Sequence, residues 1–475
     1  MAESLYWHDY ETFGINPQRD RAAQFAGLRT DIDLNIIDEP FIIYCQPADD
    51  YLPEPEACLI TGITPQQALE KGVCEAEFIT RIHQQLAQAH TCTVGYNSLR
   101  FDDEVTRNLL YRNFFDAYAR EWKNDNSRWD IIDMARAARA LRPEGINWPN
   151  HEDGKPSFRL EDITRENNIE HSGAHDAMAD VYATIAVAKL IKQAQPKLYN
   201  FLFSHRGKHK VSGLLQLLSF EPVVHISGMY PASKGSLAIV LPICQHPTNN
   251  NGVLVYDLSV DPEPMLSLSA EQIQQRIFTA RADLADGVER IPLKTVHINK
   301  CPVLAPISVL RSQDLERLEL DIELCRTHLQ SIAGAKGLQE KLADVFTQSY
   351  SDSTDDPDLM IYSGGFFNDA DRAEMDHIRT LNEEKLAHYD DNFYDARLPE
   401  MLFRYRARNY PETLNPKEQE QWLEHRRQCF NRLEQNGQSA QTNYYQKLDA
   451  LKQDSAVNQQ IIADLQAYAG QITSV

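Results

Sequence analysis

Near the amino end, Leu5, Trp7, Asp9 and Glu11 alternate with other side chains, the period of a β-strand. A period of two sets both carboxylates on the same face as Leu5 and Trp7. Burying two like charges on an apolar face is costly unless a cation compensates them. A pair of divalent metal ions would do so. Asp-x-Glu alone is weak evidence, since most such tripeptides are solvated surface, so the reading depends on what the rest of the chain supplies.

With 475 residues the chain exceeds one comfortable core, and about two to four domains are expected. No apolar run approaches the roughly 20 residues of a membrane span. Met1-Ala2-Glu3-Ser4 lacks the basic and apolar regions of a signal peptide. Eight scattered cysteines show no Cys-x-x-Cys spacing, which argues against a disulfide scaffold and a zinc site and fits a reducing cytoplasm. A formal net charge of −22 speaks, at first sight, against a nucleic-acid partner. An enzyme can still carry a positive groove on an acidic body, and that acidity weakens non-specific sticking.

Apolar runs at Leu5–Tyr10, Gln24–Leu28 and Phe41–Cys45 predict a hairpin or three-stranded meander, followed by proline-containing punctuation at Ala48–Pro55. Thr64-Pro65 has the form of a helix start. Phe78, Ile82 and Leu86, each four apart, make the next helix amphipathic. Thr91–Tyr96 reads as a short buried strand. A helix opening at Arg100–Glu104 is expected to run to about Trp122, and the bland role of Asp102 there is a cap or dipole complement. Further helices are expected at about Trp129–Leu141, Arg159–Glu166 and Ala174–Gln193. After Pro196 the texture changes. Pro222–Tyr230, Ser236–Cys244, Val253–Leu258 and Leu293–Ile298 read as strands, with a helix near Ala270–Ala280, in a smaller β-rich domain. An acidic linker at Asp352–Asp358 leads to a helical stretch from Asp369 through Tyr468.

Four carboxylates then matter, Asp9, Glu11, Asp102 and Asp180, with His175 five residues before the last. Two magnesium ions about 4 Å apart cleave phosphodiesters, one activating water and the other stabilising the leaving oxygen. Hard cations take oxygen ligands, so carboxylates should form the cage. The attacking water must lose a proton, a task that suits a histidine with a pKa near neutrality. Five residues of ideal helix turn through about 140°, which would aim His175 and Asp180 apart. His175 is therefore placed at or just before the first turn. A single histidine beside a helix start is otherwise a surface residue or cap.

Asp-x-Glu on a first strand, a mid-chain Asp at a helix start and His-x4-Asp on a late helix together resemble the DEDDh 3′→5′ exonucleases. Longer strings narrow the likeness: His8–Gly14, Asp20–Ala26, Asn126–Asp130, Leu141–Pro149 and His297–Leu304. They are similar to the bacterial exodeoxyribonuclease I family over essentially the whole chain. The resemblance implies an α/β fold: a ribonuclease H-like exonuclease domain with a mixed sheet (1–195), an SH3-like β-rich domain (196–351) and an α-helical C-terminal domain (352–475). It implies that Asp9, Glu11 and Asp180 bind two magnesium ions, Asp102 completes the acidic set and His175 is the general base. Glu11 and Arg159 would contact substrate near the scissile phosphate.

Arg107, Tyr111, Phe115, Tyr118 and Trp122 lie at spacings of four, four, three and four, one face of a helix. A core stripe is the bland reading, especially for Tyr111 and Phe115. The resemblance favours Arg107, Tyr118, Trp122 and Arg136 as single-strand DNA contacts, aromatic faces stacking on bases and arginine neutralising phosphate. Basic clusters at His205–Lys210, Arg404–Arg408 and Arg426-Arg427 could line a DNA channel, although most charged runs are only solvated faces. Arg142 and Arg311 are candidates for docking an acidic peptide, and the family implies the C-terminal tail of single-strand DNA-binding protein as that partner. The activity implied is processive 3′→5′ degradation of single-stranded DNA to 5′-mononucleotides, in repair and recombination, by a cytoplasmic monomer without membrane contact. An exoribonuclease of the same fold and a non-catalytic strand-binding protein are the alternatives.

Overall fold

Strand β1 (Ser4–Thr12) is the middle of a mixed sheet, and its sequence explains why. In a computed structural model, which describes residues 3–171, 173, 176–217, 219–347, 354–390 and 392–474, it pairs antiparallel with β2 (Ala22–Asp31) and parallel with β4 (Thr91–Gly95). β3 (Phe41–Tyr44) adds to β2, so the order runs β3-β2-β1-β4. A central strand is covered on both faces: Leu5 and Trp7 are fully buried, and so, nearly, are Tyr6 and Tyr10 from the opposite face.

The chain divides into two compact units, one of Met1–Ser127, His171–Tyr182 and Asp352–Val475, the other of Arg128–Glu170 and Ala183–Ser351. In the first, β3 is followed by α1 (Pro55–Thr61), α2 (Pro65–Lys71) and α3 (Glu75–Leu86). Thr64 caps α2 by accepting the Gln67 N–H at 3.2 Å. Phe78, Ile82 and Leu86 of α3 are all buried, as their spacing predicts.

The helix expected to reach Trp122 is shorter. α4 spans Asp102–Arg112. The Asn113 side chain donates to the Leu109 carbonyl at 2.8 Å, and Phe114 then takes a left-handed φ of 62°. That conformation is costly for an aromatic residue. Here it is offset by burying Phe114 and Phe115 with Leu398, Met401, Leu402 and Tyr405. Tyr111 and Phe115 are thus core, while Tyr118 and Trp122 lie on a separate segment of 3-10 turns and share no helical face with Arg107. Arg120 in this segment reaches back to Asp103 at 2.5 Å, both side chains essentially inaccessible to water. Arg120→Met should cost about 3–5 kcal/mol in urea unfolding, because it removes the buried cation that pairs with the Asp103 carboxylate.

The helices after residue 354 share cores with the amino-terminal elements: Phe13 and Ala23 pack with Tyr444, Leu448, Ile462 and Leu465. The basic run at Arg404–Arg408 is held by carboxylates within this unit. Arg404 binds Asp356 and Asp358, Arg406 binds Glu418 and the Thr413 carbonyl, and Arg408 binds Asp50 and Asp358. Arg426, also buried, pairs with Asp49. Arg427, by contrast, is exposed beside Glu424.

The boundary between the units falls in strand β5 (Ser127–Asp130), where a helix was expected from Trp129. The helix, α5 (Ile131–Leu141), starts later, with Asp130 accepting the Ile132 N–H at 3.1 Å as its cap. α6 (Leu160–Glu166) and α7 (Ala177–Ala194) follow. The second unit holds an antiparallel sheet of β6 (Val223–Ile226), β7 (Leu237–Gln245), β8 (Gly252–Asp257), β9 (Leu293–His297) and β10 (Val303–Pro306), ordered β10-β6-β7-β8-β9. β10 and the helices Ser312–Arg317, Ile322–Ala333 and Leu338–Val345 were not anticipated. Among the described residues, no helix is long and apolar enough to cross a membrane.

Candidate active site

Asp9 and Glu11 leave the same face of β1 near its carboxyl end. α7 brings Asp180 to them in its first turn. One carboxylate oxygen from each of Asp9, Glu11 and Asp180 lies within 4.8 Å of the others. Asp102, first residue of α4, accepts the Tyr10 backbone N–H at 3.1 Å, which pins it between the two β1 acids. Thr106 ties the same turn to the strand, donating to the Asp102 carbonyl at 2.8 Å and contacting the Tyr10 hydroxyl at 3.0 Å.

The electrostatics of this cluster are unfavourable without a cation. Burial first, then the charges of Asp102, Glu11, Asp180 and Asp176, raise the Asp9 carboxyl well above its ordinary range. Burial, with Asp180, Asp102 and Asp176 behind it, pushes Glu11 up to about 8. An oxygen-only donor set under mutual repulsion fits a hard divalent cation. Asp9, Glu11 and Asp180 are the residues able to hold it.

Two contributors escaped the sequence reading. His171 sets its Nε2 2.5 Å from Asp180 Oδ1, with its side chain 5% exposed. Its signal was a second histidine four residues before His175. Asp176 caps α7, accepting from the Met178 and Ala179 N–H groups at 3.1 Å each, and its charge reaches Asp9 and Glu11. α7 begins at Ala177; His175 itself lies outside the described residues.

Tyr118 is half-buried and Trp122 is 63% exposed, so the core alternative for Trp122 is gone. Phe366, 85% exposed, meets Tyr118 edge-on with ring centroids 6.1 Å apart. Arg107 lies 5.4 Å from the Tyr118 ring centre, but its guanidinium is buried and bound by Glu121 at 2.7 Å and Glu104 at 2.6 Å. In the second unit, Arg136 pairs with Asp133 at 2.5 Å beside the Phe158 ring, and Arg159 is exposed just ahead of α6. Arg142 and Arg311 both reach Asp314, at 3.4 and 2.8 Å.

Residues 6–188 match the family model described as Exonuclease, which sets the class: a nuclease that removes nucleotides from strand ends. Residues 206–348 match the Exonuclease I SH3-like domain and 355–472 the Exonuclease I C-terminal domain. The chain is 51% identical over 428 residues to Exodeoxyribonuclease I of Escherichia coli K12, covering 90% of each chain. The solved Exonuclease I of Methylocaldum szegediense superposes with a TM-score of 0.95 at 53% identity over all of both chains. The zinc-bound E. coli ExoI–ssDNA complex gives 0.94 at 48% identity, covering 99% of this chain and 100% of that one. The chain belongs to the exodeoxyribonuclease I family.

Proposed function

We propose that this exonuclease is magnesium-dependent and degrades single-stranded DNA processively from the 3′ end, releasing 5′-mononucleotides in repair and recombination. The observation that carries the reading is the partly buried convergence of Asp9, Glu11 and Asp180. A pair of magnesium ions held by Asp9, Glu11 and Asp180 would activate the water and stabilise the leaving oxygen. The protein's own groups do the rest. Tyr10 N–H holds Asp102 beside the cluster, and His171 orients Asp180. His175, two residues ahead of α7, takes the proton of the attacking water. Arg159 and Glu11 hold the scissile phosphodiester and its sugar.

Away from the reacting bond, Tyr118 and Trp122 stack on bases, Arg136 meets phosphate, and Arg107, neutralised by Glu104 and Glu121, acts on the strand by backing the Tyr118 ring. Arg142, Arg311 and Arg317 surround the buried carboxylate of Asp314, and with Glu144 also on Arg311 one positive charge is left over for an acidic peptide tail. A solved assembly of SSB with Exonuclease I supports that partner. We place the domains at 1–195, 196–351 and 352–475, and take the protein to act as a monomer.

The test is purified protein with end-labelled DNA and RNA strands, single and double, with magnesium or chelator. Mononucleotides released from the 3′ end of single-stranded DNA, only with metal, are expected. Preference for RNA would favour the exoribonuclease alternative, since a 2′-hydroxyl beside Glu11 is what such an enzyme must accommodate. Binding without cleavage in any metal would overturn the reading.

Two variants separate stacking from charge. Trp122→Ala should weaken strand binding by roughly 1–3 kcal/mol while leaving its salt dependence unchanged. Its unfolding free energy should barely move, because the side chain is exposed. Arg136→Ala should flatten the log–log salt slope by about 0.7 if it contacts one phosphate of a single strand.

A further inference from the structure

A second set of metal-ligating side chains lies in the first unit: Asp50, on the loop after β3, with His425 and Cys429 on the helix Pro416–Asn431. Their ligand atoms are all within 4.8 Å of one another. His425 and Cys429 are four residues apart, so one helix face presents both, the spacing by which helices pair ligands on zinc. Cys429 Sγ lies 3.4 Å from His425 Nε2, and that nitrogen lies 3.6 Å from Asp50 Oδ2. Tetrahedral zinc, with bonds of about 2.0–2.3 Å, holds such atoms about 3.3–3.6 Å apart. Two of the three separations already suit it.

The surroundings support these ligands as outer shells do in metal sites. Arg408 donates to Asp50 Oδ2 at 2.8 and 3.0 Å, whereas Oδ1 has no hydrogen-bond partner although the residue is only 7% exposed. The His425 ring stacks on Trp422 with centroids 4.9 Å apart, and Trp422 is anchored by its indole N–H to Asp49 at 3.0 Å. All three candidate ligands line a cavity of about 1300 Å³, which offers an entry path and room for water as a fourth ligand.

Charge is the main objection. Arg408 and Arg21 face Asp50 at 2.8 and 4.0 Å, and Arg408 also pairs with Asp358 at 2.8 Å. Metal uptake adds no net charge, however. One divalent ion displaces the thiol proton of Cys429 and the imidazolium proton of His425, so these two groups and the ion carry one positive charge before and after. A donor set of one nitrogen, one sulfur and one oxygen suits a borderline ion, unlike the oxygen-only set of Asp9, Glu11 and Asp180.

We propose that Asp50, His425 and Cys429 form a zinc site that staples the loop after β3 to the helix Pro416–Asn431. Cysteine spacing pointed away from zinc because only one cysteine takes part and the third ligand comes from the other end of the chain.

Cobalt(II) titrated into metal-stripped full-length protein tests it, because a thiolate ligand gives a near-ultraviolet charge-transfer band that carboxylates cannot. A band saturating at one equivalent and displaced by zinc is expected. Cys429→Ser should abolish the band, weaken zinc more than about 100-fold, beyond the loss from removing an outer-shell partner, and keep magnesium-dependent cleavage. Zinc should raise the melting temperature of wild type by more than that of Cys429→Ser, which keeps only the carboxylate cluster of Asp9, Glu11 and Asp180, and the metal-free melting temperatures of the two should match. Absence of the band, its persistence in Cys429→Ser, or an equal zinc-induced rise in both proteins would overturn the proposal.

Discussion

Replacing Asp9 with asparagine is expected to abolish cleavage and, in chelator, to make the protein more stable. The two effects share a cause. Asp9 sits among Glu11, Asp102, Asp180 and Asp176, and burial with that company raises its carboxyl well above the usual range. The metal-free fold therefore bears a repulsion that the cation relieves, and asparagine relieves it without binding the cation. Cleavage should fall at least about 10³-fold, some 4 kcal/mol of transition-state stabilisation. Stability in chelator should rise by ~1 kcal/mol or more, seen as about 1–2 °C in melting temperature for a chain of this size.

The pH dependence follows from Glu11, pushed from 4.5 to about 8 in the fold. Its unfolded-state pKa is the lower one, so the unfolded chain loses this proton first. The stability that Glu11 contributes is then complete below about pH 4.5 and is lost as pH rises through about 8. Glu11→Gln should flatten that decline in chelator, and magnesium should flatten it in wild type. An Asp9→Asn protein that cleaves at near wild-type rate would remove the metal-cage reading, and one that melts lower than wild type in chelator would contradict the repulsion argument.

His175→Ala carries the second large effect, the rate loss of roughly 10²–10⁴-fold expected if His175 is the proposed general base. Metal affinity should stay near normal, because the proposed ligands are the carboxylates of Asp9, Glu11 and Asp180. Raising the pH should restore part of the rate, since hydroxide replaces the lost base. His171→Ala should behave differently. His171 touches Asp180 at 2.5 Å, so its loss should disturb a proposed metal ligand and weaken metal binding by about 10–100-fold, with rate recovering at high magnesium. Titrating magnesium against initial rate for both variants distinguishes them. A His175→Ala protein rescued by metal rather than by pH would reassign His175 as a ligand.

Much of this was legible because it is local. Period two alone places Asp9 and Glu11 on one face of β1, and a period near four buries Phe78, Ile82 and Leu86. Thr64 before Pro65 predicts a cap that needs no distant partner. Asp102 and Asp180 stand in the first turns of α4 and α7, where carboxylates are locally favoured, so their positions were readable while their convergence on β1 was only implied.

What only the tertiary structure decided concerns the partner each group finds. The stripe from Arg107 to Trp122 keeps helical spacing, yet α4 stops at Arg112 because burying Phe114 and Phe115 against the carboxyl-terminal helices outweighs continuing the turn. Arg404, Arg406 and Arg408 read as a basic surface, but each is buried against carboxylates, and two of the three find theirs far away in the chain. A guanidinium looks the same in sequence whether it faces solvent or an aspartate. The His171 contact with Asp180 and the meeting of Asp50 with His425 and Cys429 were hidden for the same reason. Periodicity records which face a residue takes, whereas the identity of the group across from it is set by how the chain closes on itself.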